Sequence, residues 1–464
     1  MPSDLLTGVL PKLLQYLPAT LLYWIVPSLL ALVFGTVLCI VRVGRHNVLY
    51  WLCTIFISFF RGTPGIVQIY LVFFGLPKVF YLFGLDIDDW NPAIFFIIAT
   101  AMNLSCFVCE VLRGGYLGVD RGQIETGLSI GYSRIQNFVY VIVPQTLKVA
   151  ILNLKNLEID VLKDTSVAYT IGAMEILGES HHLRTVRHRA TLDFGSCRSH
   201  LLCAVHACGD GIHLSIAPHG TLRKEVRLME LDYDFMIADF PTILAGLPKT
   251  LVLTFWSALF ALLLALVFGC VILSNIPGLK QLVIAINTFI KGVPLAVQLL
   301  FCYYAVPFVA RWLGSIGAYD FNPRHIPYFP AAVVAIACNF GAYITDVVVS
   351  SVKAVDHGQM ESAQSIGMTG LQIALHVVAP QAVVISLPSM TNYFIWLLKG
   401  TSLASLINVT EMLITAQISA SDGYQYLEAY IDAALIYWMV CAAIEFGSER
   451  LFRRVGFFLK PVRA

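Results

Sequence analysis

The sequence predicts an all-α, polytopic membrane protein made of two homologous units, and three observations predict it. Hydrophobic residues make up 58% of the 464 and charged residues 13%, with a mean hydropathy of +0.76. Such a composition excludes a soluble globule. Apolar runs of about 20 residues, enough to cross a hydrocarbon core of about 30 Å, recur along the chain. A polar pattern is also written twice, 236 residues apart: Gly122-Gln-Ile-Glu125 through Gly131 to Pro144-Gln145, then Gly358-Gln-Met-Glu361 through Gly367 to Pro380-Gln381. The same offset pairs Asp346 with Glu110, Lys399 with Lys163, Thr401-Ser402 with Thr165-Ser166, and Glu411 with Glu175. A repeat of this length means two units of one architecture, each supplying its own copy of the polar loop.

Taken in order, the apolar runs place spans near 19–41, 60–80, 91–112 and 148–172 in the first unit, and near 248–274, 285–310, 329–351, 383–409 and 425–446 in the second. The first run has no charged stretch before it and no small-residue cleavage site after it, so it is expected to stay as a span. Basic residues stay on the cytoplasmic side. Arg42 and Arg45 follow the first span, which therefore runs inward, and Arg61 flanks the inner end of the second, as Lys291 does in the other unit. Arg113, Arg121 and Arg134 then place the first polar loop in the cytoplasm, and its twin follows by symmetry. Arg450, Arg453, Arg454, Lys460 and Arg463 put the end of the last span inside as well.

Between Arg113 and Pro144, and between Lys353 and Pro380, apolar residues recur at helical spacing with a glycine splitting each run. Two short amphipathic helices joined at Gly131 or Gly367 are expected. Glycine suits the joint because it accepts positive φ without steric cost. The proline is expected to start the next helix, where its missing N–H does no harm. A helix pair held outside the membrane reads as a docking element.

Several functions are excluded. A net charge of +1 gives no footprint for nucleic acid. No G-x-x-x-x-G-K-[ST] phosphate loop occurs, so any ATP must be bound and hydrolysed by a partner, and no cofactor of the chain's own is expected. The polar residues are scattered at helix ends and form no constellation of base, nucleophile and oxyanion donor, so the chain is not read as an enzyme.

The loop residues resemble the EAA loop of bacterial ABC importer permeases: E-A-A, three residues, G, nine residues, I-x-L-P. Here the copies read Glu125-Thr-Gly127, Gly131, Val141-Ile-Val-Pro144, and Glu361-Ser-Ala363, Gly367, Val377-Val-Ala-Pro380. Arg61-Gly-Thr-Pro64, Lys291-Gly-Val-Pro294, the Gly-Gln-x-Glu starts and Lys399-Gly-Thr-Ser402 narrow the resemblance to the polar amino-acid uptake permeases of the histidine and glutamine type. It implies an inner-membrane pore formed by two units of about five spans each, driven by two cytoplasmic ATPase subunits and fed by an extracytoplasmic binding protein. It also implies that Gly122, Glu125, Gly131 and Pro144, with Gly358, Glu361, Ala363, Gly367 and Pro380, form the ATPase-docking loops. A rigid short helix wedged in a partner's cleft can transmit a rotation between two discrete arrangements.

Intramembrane charge is the other place to look for function, because ionisable groups at membrane depth are costly unless paired or facing water. The fourth span of the first unit carries Lys155, Glu158, Asp160, Lys163 and Asp164, where its twin carries only Lys399. Glu158, Asp160, Lys163 and Lys399 are candidates for lining a translocation path. The same charges also fit pairing or snorkelling against neighbours. A secondary, ion-coupled transporter also uses internal repeats, but broken helices at the midplane and a matching acid in both halves would be expected of it.

The expected division is 1–179 for the first unit, 180–228 for an aberrant linker, and 229–464 for the second unit. The linker holds His181, His182, His188, His200, His206, His213 and His219, seven of the eleven histidines, but in spacings that fit no defined ligand set, so no metal site is expected. The fifth span of the second unit contains Leu435-Ile-Tyr-Trp-Met-Val-Cys441, and its twin is missing at 199–205. Read one base forward, Ser199 to Val205 and the next histidine can encode Leu-Ile-Tyr-Phe-Val-Leu-Cys. A frameshift near Ser180 joining two adjacent genes is the reading, with Met229 the start of the second. Loss of that span would also leave the second unit to begin outside, as its orientation requires.

Overall fold

The computed structural model describes residues 9–44, 46–180, 182, 231–274, 276–316, 328–421 and 423–455. The expected linker, with all its histidines but His182, lies outside them. Every regular element among the described residues is helical. Among the described residues, eight helices are long and apolar enough to span a membrane, and nine spans result when one sharply bent pair counts as a single one. Nine was the number expected from the apolar runs.

In the first unit, α1 (Leu17–Val43) leads through Asn47, whose side chain caps the next helix, into α2 (Val48–Gly62), α3 (Gly65–Tyr81) and α4 (Pro92–Leu117). The loop helices α5 (Arg121–Ser129) and α6 (Arg134–Asn137) follow, then α7 (Val143–Asp164) and a 3₁₀ segment Thr165–Ile171. The second unit repeats this order: α8 (Tyr233–Leu244), α9 (Leu247–Ser274), α10 (Leu279–Gly292), α11 (Leu295–Ser315), α12 (Tyr328–Lys353), α13 (His357–Ser365), α14 (Gly370–Ile373), α15 (Ala379–Gly400), and a 3₁₀ segment Thr401–Ile407. A short α16 (Met412–Ser421) and the long α17 (Tyr426–Val455) close the chain.

Packing within each unit uses small residues, as expected where lipid offers no hydrophobic drive between helices. Ala31, Gly35 and Cys39 line the face of α1 against α4, and a Cβ on Gly35 would lie 2.7 Å from Val108. Ala261, Ala265 and Gly269 do the same for α9 against α12. The core of the first unit adds Ile57, Phe60, Leu104, Cys106, Cys109 and Leu112. Cys106 and Cys109 stand in C-x-x-C spacing, which the composition alone passes over, but both are buried free thiols on a core face.

Two expectations about helix continuity are corrected. The runs 60–80 and 285–310 are not single spans, because the chain breaks at Thr63-Pro64 and at Val293-Pro294. Thr63 is extended at φ −103, ψ 149, and Val293 at φ −95, ψ 131, as a residue before proline must be. Helices α2 and α3 meet at 116°. Conversely, Pro144 and Pro380 stand in the first turn of α7 and α15 as expected, but neither helix starts afresh from a loop there. Each loop's second helix runs on into the following span through a π-helical turn, Phe138–Ile142 or Ala374–Val378. The wider turn lets the ladder pass a residue that cannot donate.

The chain falls into two compact units. One unit takes Met1–Asp232 with Gln425–Ala434, and the other takes Tyr233–Tyr424 with Leu435–Ala464. The first third of α17 therefore belongs to the first unit. There Tyr430 stacks on Tyr70 at 4.7 Å, Tyr426 stacks on Phe74 at 5.5 Å, and Glu428 takes an ion pair from Lys78 at 3.0 Å.

Candidate functional site

Each polar loop is built from local sequence signals alone. Asp120 caps α5 by accepting from Gly122 N at 2.9 Å, and Asp356 caps α13 from Gly358 N at 3.0 Å. Gly122 and Gly358 thus stand where an amide turns back to the cap. Both helices end at a left-handed glycine, Gly131 at φ +94 and Gly367 at φ +87. Gly131 N reaches Leu128 O and Tyr132 N reaches Gly127 O, both at 3.1 Å, while Gly367 and Met368 repeat the pair on Gln364 and Ala363. This is a Schellman ending, which satisfies the last carbonyls.

The second helix then starts at once through a capping box, Ser133 with Gln136 and Thr369 with Gln372. The S/T-x-x-Q spacing was legible in the sequence, yet the glycine joint alone drew notice. Past the π turn, Gln145 and Gln381 each donate to a carbonyl four residues back, Val141 O and Val377 O, at 2.9 Å. The predicted joint of two helices at a glycine is therefore what both units contain.

On the surface, Glu125 and Glu361 are exposed at the middle of each first loop helix. The sequence reading missed four apolar neighbours at twin positions. Ile130 is 67% exposed and Ile366 78%, and across the joint Ile135 is 77% and Leu371 70% exposed. Two apolar side chains thus stand out from each polar loop, in the same register in both units.

The two loops differ at one packed position. Gly127 and Ala363 hold the third place of the E-x-x pattern, and opposite them stand Asn137 and Ile373, again twins. Asn137 lies against Gly127 and donates to Ile124 O at 2.8 Å, and a Cβ on Gly127 would come within 2.3 Å of its Oδ1. Ala363, 6% exposed, faces no such amide. Gly127→Ala should destabilise the loop by about 1–3 kcal/mol through overpacking. Adding Asn137→Ile should restore most of that, and a double-mutant cycle on melting temperature that shows no coupling would sink this account.

The candidate path residues of the fourth span are held by near neighbours. Ser28 of α1 donates to Glu158 at 2.5 Å, and Lys163 pairs with Asp160 at 2.5 Å one turn away. Lys399 is half-buried at the end of α15. Ser28 thus ties Glu158 to α1, while Asp160 and Lys163 pair within one helix. No group of three or more potential metal ligands occurs among the described residues.

A buried acid follows each 3₁₀ segment. Glu175 accepts from Gly178 N at 2.9 Å; Glu411 accepts from Ile414 N at 3.0 Å and from the Tyr437 hydroxyl at 2.8 Å. Burial raises Glu175 above the usual carboxylate range and pushes Glu411 up to about 7. The sequence paired these residues without assigning them a role.

Comparison with known proteins gives the family of the chain. Residues 17–180 and 261–457 each match the family described as binding-protein-dependent transport system inner membrane component. Among curated relatives, a probable amino-acid ABC transporter permease, PatM of Vibrio harveyi, is 34% identical over 212 residues, covering 46% of this chain and 91% of PatM. The L-cystine transport system permease TcyB of Bacillus subtilis is 36% identical over 217 residues, covering 47% of this chain and 87% of TcyB. A crystal structure of an amino acid ABC transporter with histidines is 32% identical and covers 49% of this chain and 100% of that one, with a TM-score of 0.42. Each relative covers about half of this sequence, and the family match falls on it twice. The chain belongs to the family of binding-protein-dependent transport system inner membrane components, as a multi-pass inner-membrane protein that carries two of its units.

Proposed function

We propose that the chain is the membrane permease of an ATP-driven importer of polar amino acids, in which both loops dock on cytoplasmic ATPase subunits and an extracytoplasmic binding protein delivers the substrate. The twin exposure of Ile130 and Ile135, and of Ile366 and Leu371, beside Glu125 and Glu361 carries this reading. A partner's cleft would cover the apolar pair and meet the carboxylate at its edge, and the Schellman joint would hold both helices of the pair at one angle. Amino acids are the substrate class because the relatives above are named for amino-acid and L-cystine transport.

Ion-coupled transport has one observation in its favour, the broken helices at Pro64 and Pro294. In such transporters the half-helix carbonyls coordinate the coupling ion. Here Gln68 Nε2 takes Phe60 O and Thr63 O, and Gln298 Nε2 takes Ile290 O and Val293 O. A neutral side-chain amide already occupies these carbonyls, where ion coupling would call for open ligands, and that favours the ATP-driven reading.

The test is purification of the tagged chain from its own membranes followed by reconstitution. An ATPase should co-purify, and uptake of radiolabelled histidine, glutamine or cystine should require ATP inside the cytoplasmic face. Uptake that runs on an ion gradient without any ATPase would overturn the proposal.

A further inference from the structure

The Arg-Gly-Thr-Pro and Lys-Gly-Val-Pro motifs are left without a role by the docking function, and the structure assigns them one. We infer that Gln68 and Gln298, four residues after each proline, are positioning residues that fix the break before the second long span and so let it move with the third span as one body. The inference rests on the ATP-driven reading above for the direction in which force travels, but not for the geometry.

Carbonyl accounting shows why a glutamine is needed. A helix end leaves its last carbonyls unpaired, and the proline adds a residue that cannot donate. At the end of α2, Thr63 N and Thr63 Oγ1 each reach Phe59 O at 3.0 Å. Gln68, 1% exposed, sends its Nε2 back across the break to Phe60 O at 2.7 Å, Thr63 O at 3.1 Å and Thr63 Oγ1 at 2.7 Å. At the end of α10, Gln298 Nε2 reaches Ile290 O at 2.8 Å and Val293 O at 3.0 Å. One planar amide thus reaches back to two carbonyls before the break in each unit. A basic residue, Arg61 or Lys291, stands in the last turn before the break, where the helix dipole favours a cation.

The third span grips each break by a different contact. In the first unit Asn103 of α4 donates to Gln68 Oε1 at 2.8 Å, so the amide is satisfied at both ends. In the second unit Asp346 of α12 takes Lys291 at 2.6 Å and Asn287 at 3.3 Å, both on the helix that ends at the break. That same third span runs directly into the docking loop, from Leu117 to Arg121 and from Lys353 to His357. A displacement of the loop therefore reaches the second span through side-chain hydrogen bonds, without passing through lipid-facing contacts.

The experiment compares Gln68→Met with Gln298→Met together, which removes the donors at equal length, and Asn103→Leu alone, which keeps the first cap but cuts its tie to α4. Labels introduced by genetically encoded amino acids at the exposed Leu52 and Leu82 report the angle at the first break by pulsed spin-label distance. The assembled transporter in proteoliposomes reports amino acids imported per ATP, using radiolabelled histidine, glutamine and cystine. The double variant is expected to broaden the distance distribution and to lower import per ATP at least tenfold, with basal ATP hydrolysis unchanged. Asn103→Leu is expected to keep the narrow distance while import per ATP falls about threefold to tenfold. A purely structural cap would lower protein yield and leave that ratio alone, and an unchanged ratio in either variant overturns the inference. A single narrow distance in the double variant overturns it too. If the double variant does not accumulate, Asn103→Leu decides by the same ratio. If the wild type neither binds an ATPase nor hydrolyses ATP, the ATP-driven reading fails, and the distance measurement still decides whether the glutamine sets the bend.

Discussion

Replacing Gly131 and Gly367 together by valine should abolish ATP-driven uptake while the protein stays folded. Both glycines sit at positive φ, +94 and +87, with no atom within 4 Å of where a Cβ would stand. The substitution therefore introduces no clash, only a backbone penalty of about 1–2 kcal/mol at each site, larger for a β-branched residue. Neither loop buries enough to resist that strain, so the cheapest relief is to give up the Schellman ending and let the helix pair swing. Local opening of this kind leaves the global fold intact. Uptake is expected to fall at least thirtyfold with the apparent melting temperature within a few degrees of wild type, measured on the reconstituted transporter.

A control is written into the chain itself. Gly172 is left-handed at φ +83, and its twin 236 residues on is Asn408, left-handed at φ +57. Asparagine tolerates that region where other side chains do not. Gly131→Asn with Gly367→Asn should accordingly keep most of the uptake. Wild-type uptake in the valine pair, or equal loss in the asparagine pair, would show that the left-handed joint is not what matters.

Much of this was legible from residue order. The 236-residue repeat located both loops, the glycines located both joints, and the apolar runs located the long helices but not the breaks at Pro64 and Pro294. The helix breaks were not seen, because a lipid-facing run is apolar on every side and periodicity cannot mark where it bends. Pro64 and Pro294 carried the signal, through the conformation they force on Thr63 and Val293. Gln68 and Gln298 were hidden for a different reason: a lone amide in an apolar helix looks incidental until the carbonyls it satisfies are placed. Gly127 stands where the E-A-A pattern has alanine, and it leaves the space that Asn137 fills. The sharing of α17 between the two compact units involves contacts some 350 residues apart in sequence, as between Lys78 and Glu428. No local pattern encodes such a contact.

Removing the carboxylate of Glu411 should produce the largest loss of stability in the second unit. Glu411 is fully buried, and it accepts from Ile414 N and from the Tyr437 hydroxyl. Glu411→Leu strands both donors, and each buried donor left without an acceptor costs about 1–3 kcal/mol. Glu411→Gln keeps a carbonyl oxygen for one donor and an amide that the tyrosine oxygen can accept, so it should lose far less. The two variants also differ in how they respond to pH. Burial pushes Glu411 up from the ordinary 4.5 to about 7, so the folded state binds the proton more tightly than the unfolded chain does. Stability from this group is therefore greatest below about pH 4.5 and is lost as pH rises towards 7, a change on the order of 3 kcal/mol. Glu175, raised by burial in the same direction, adds to the trend. Apparent melting temperature in detergent should rise as pH falls from 7.5 to 5.5, and Glu411→Gln should remove a large part of that rise. A wild-type melting curve flat over this window, or a Glu411→Gln curve parallel to it, would show that the buried carboxyl is charged in the folded protein and held by more than these two donors.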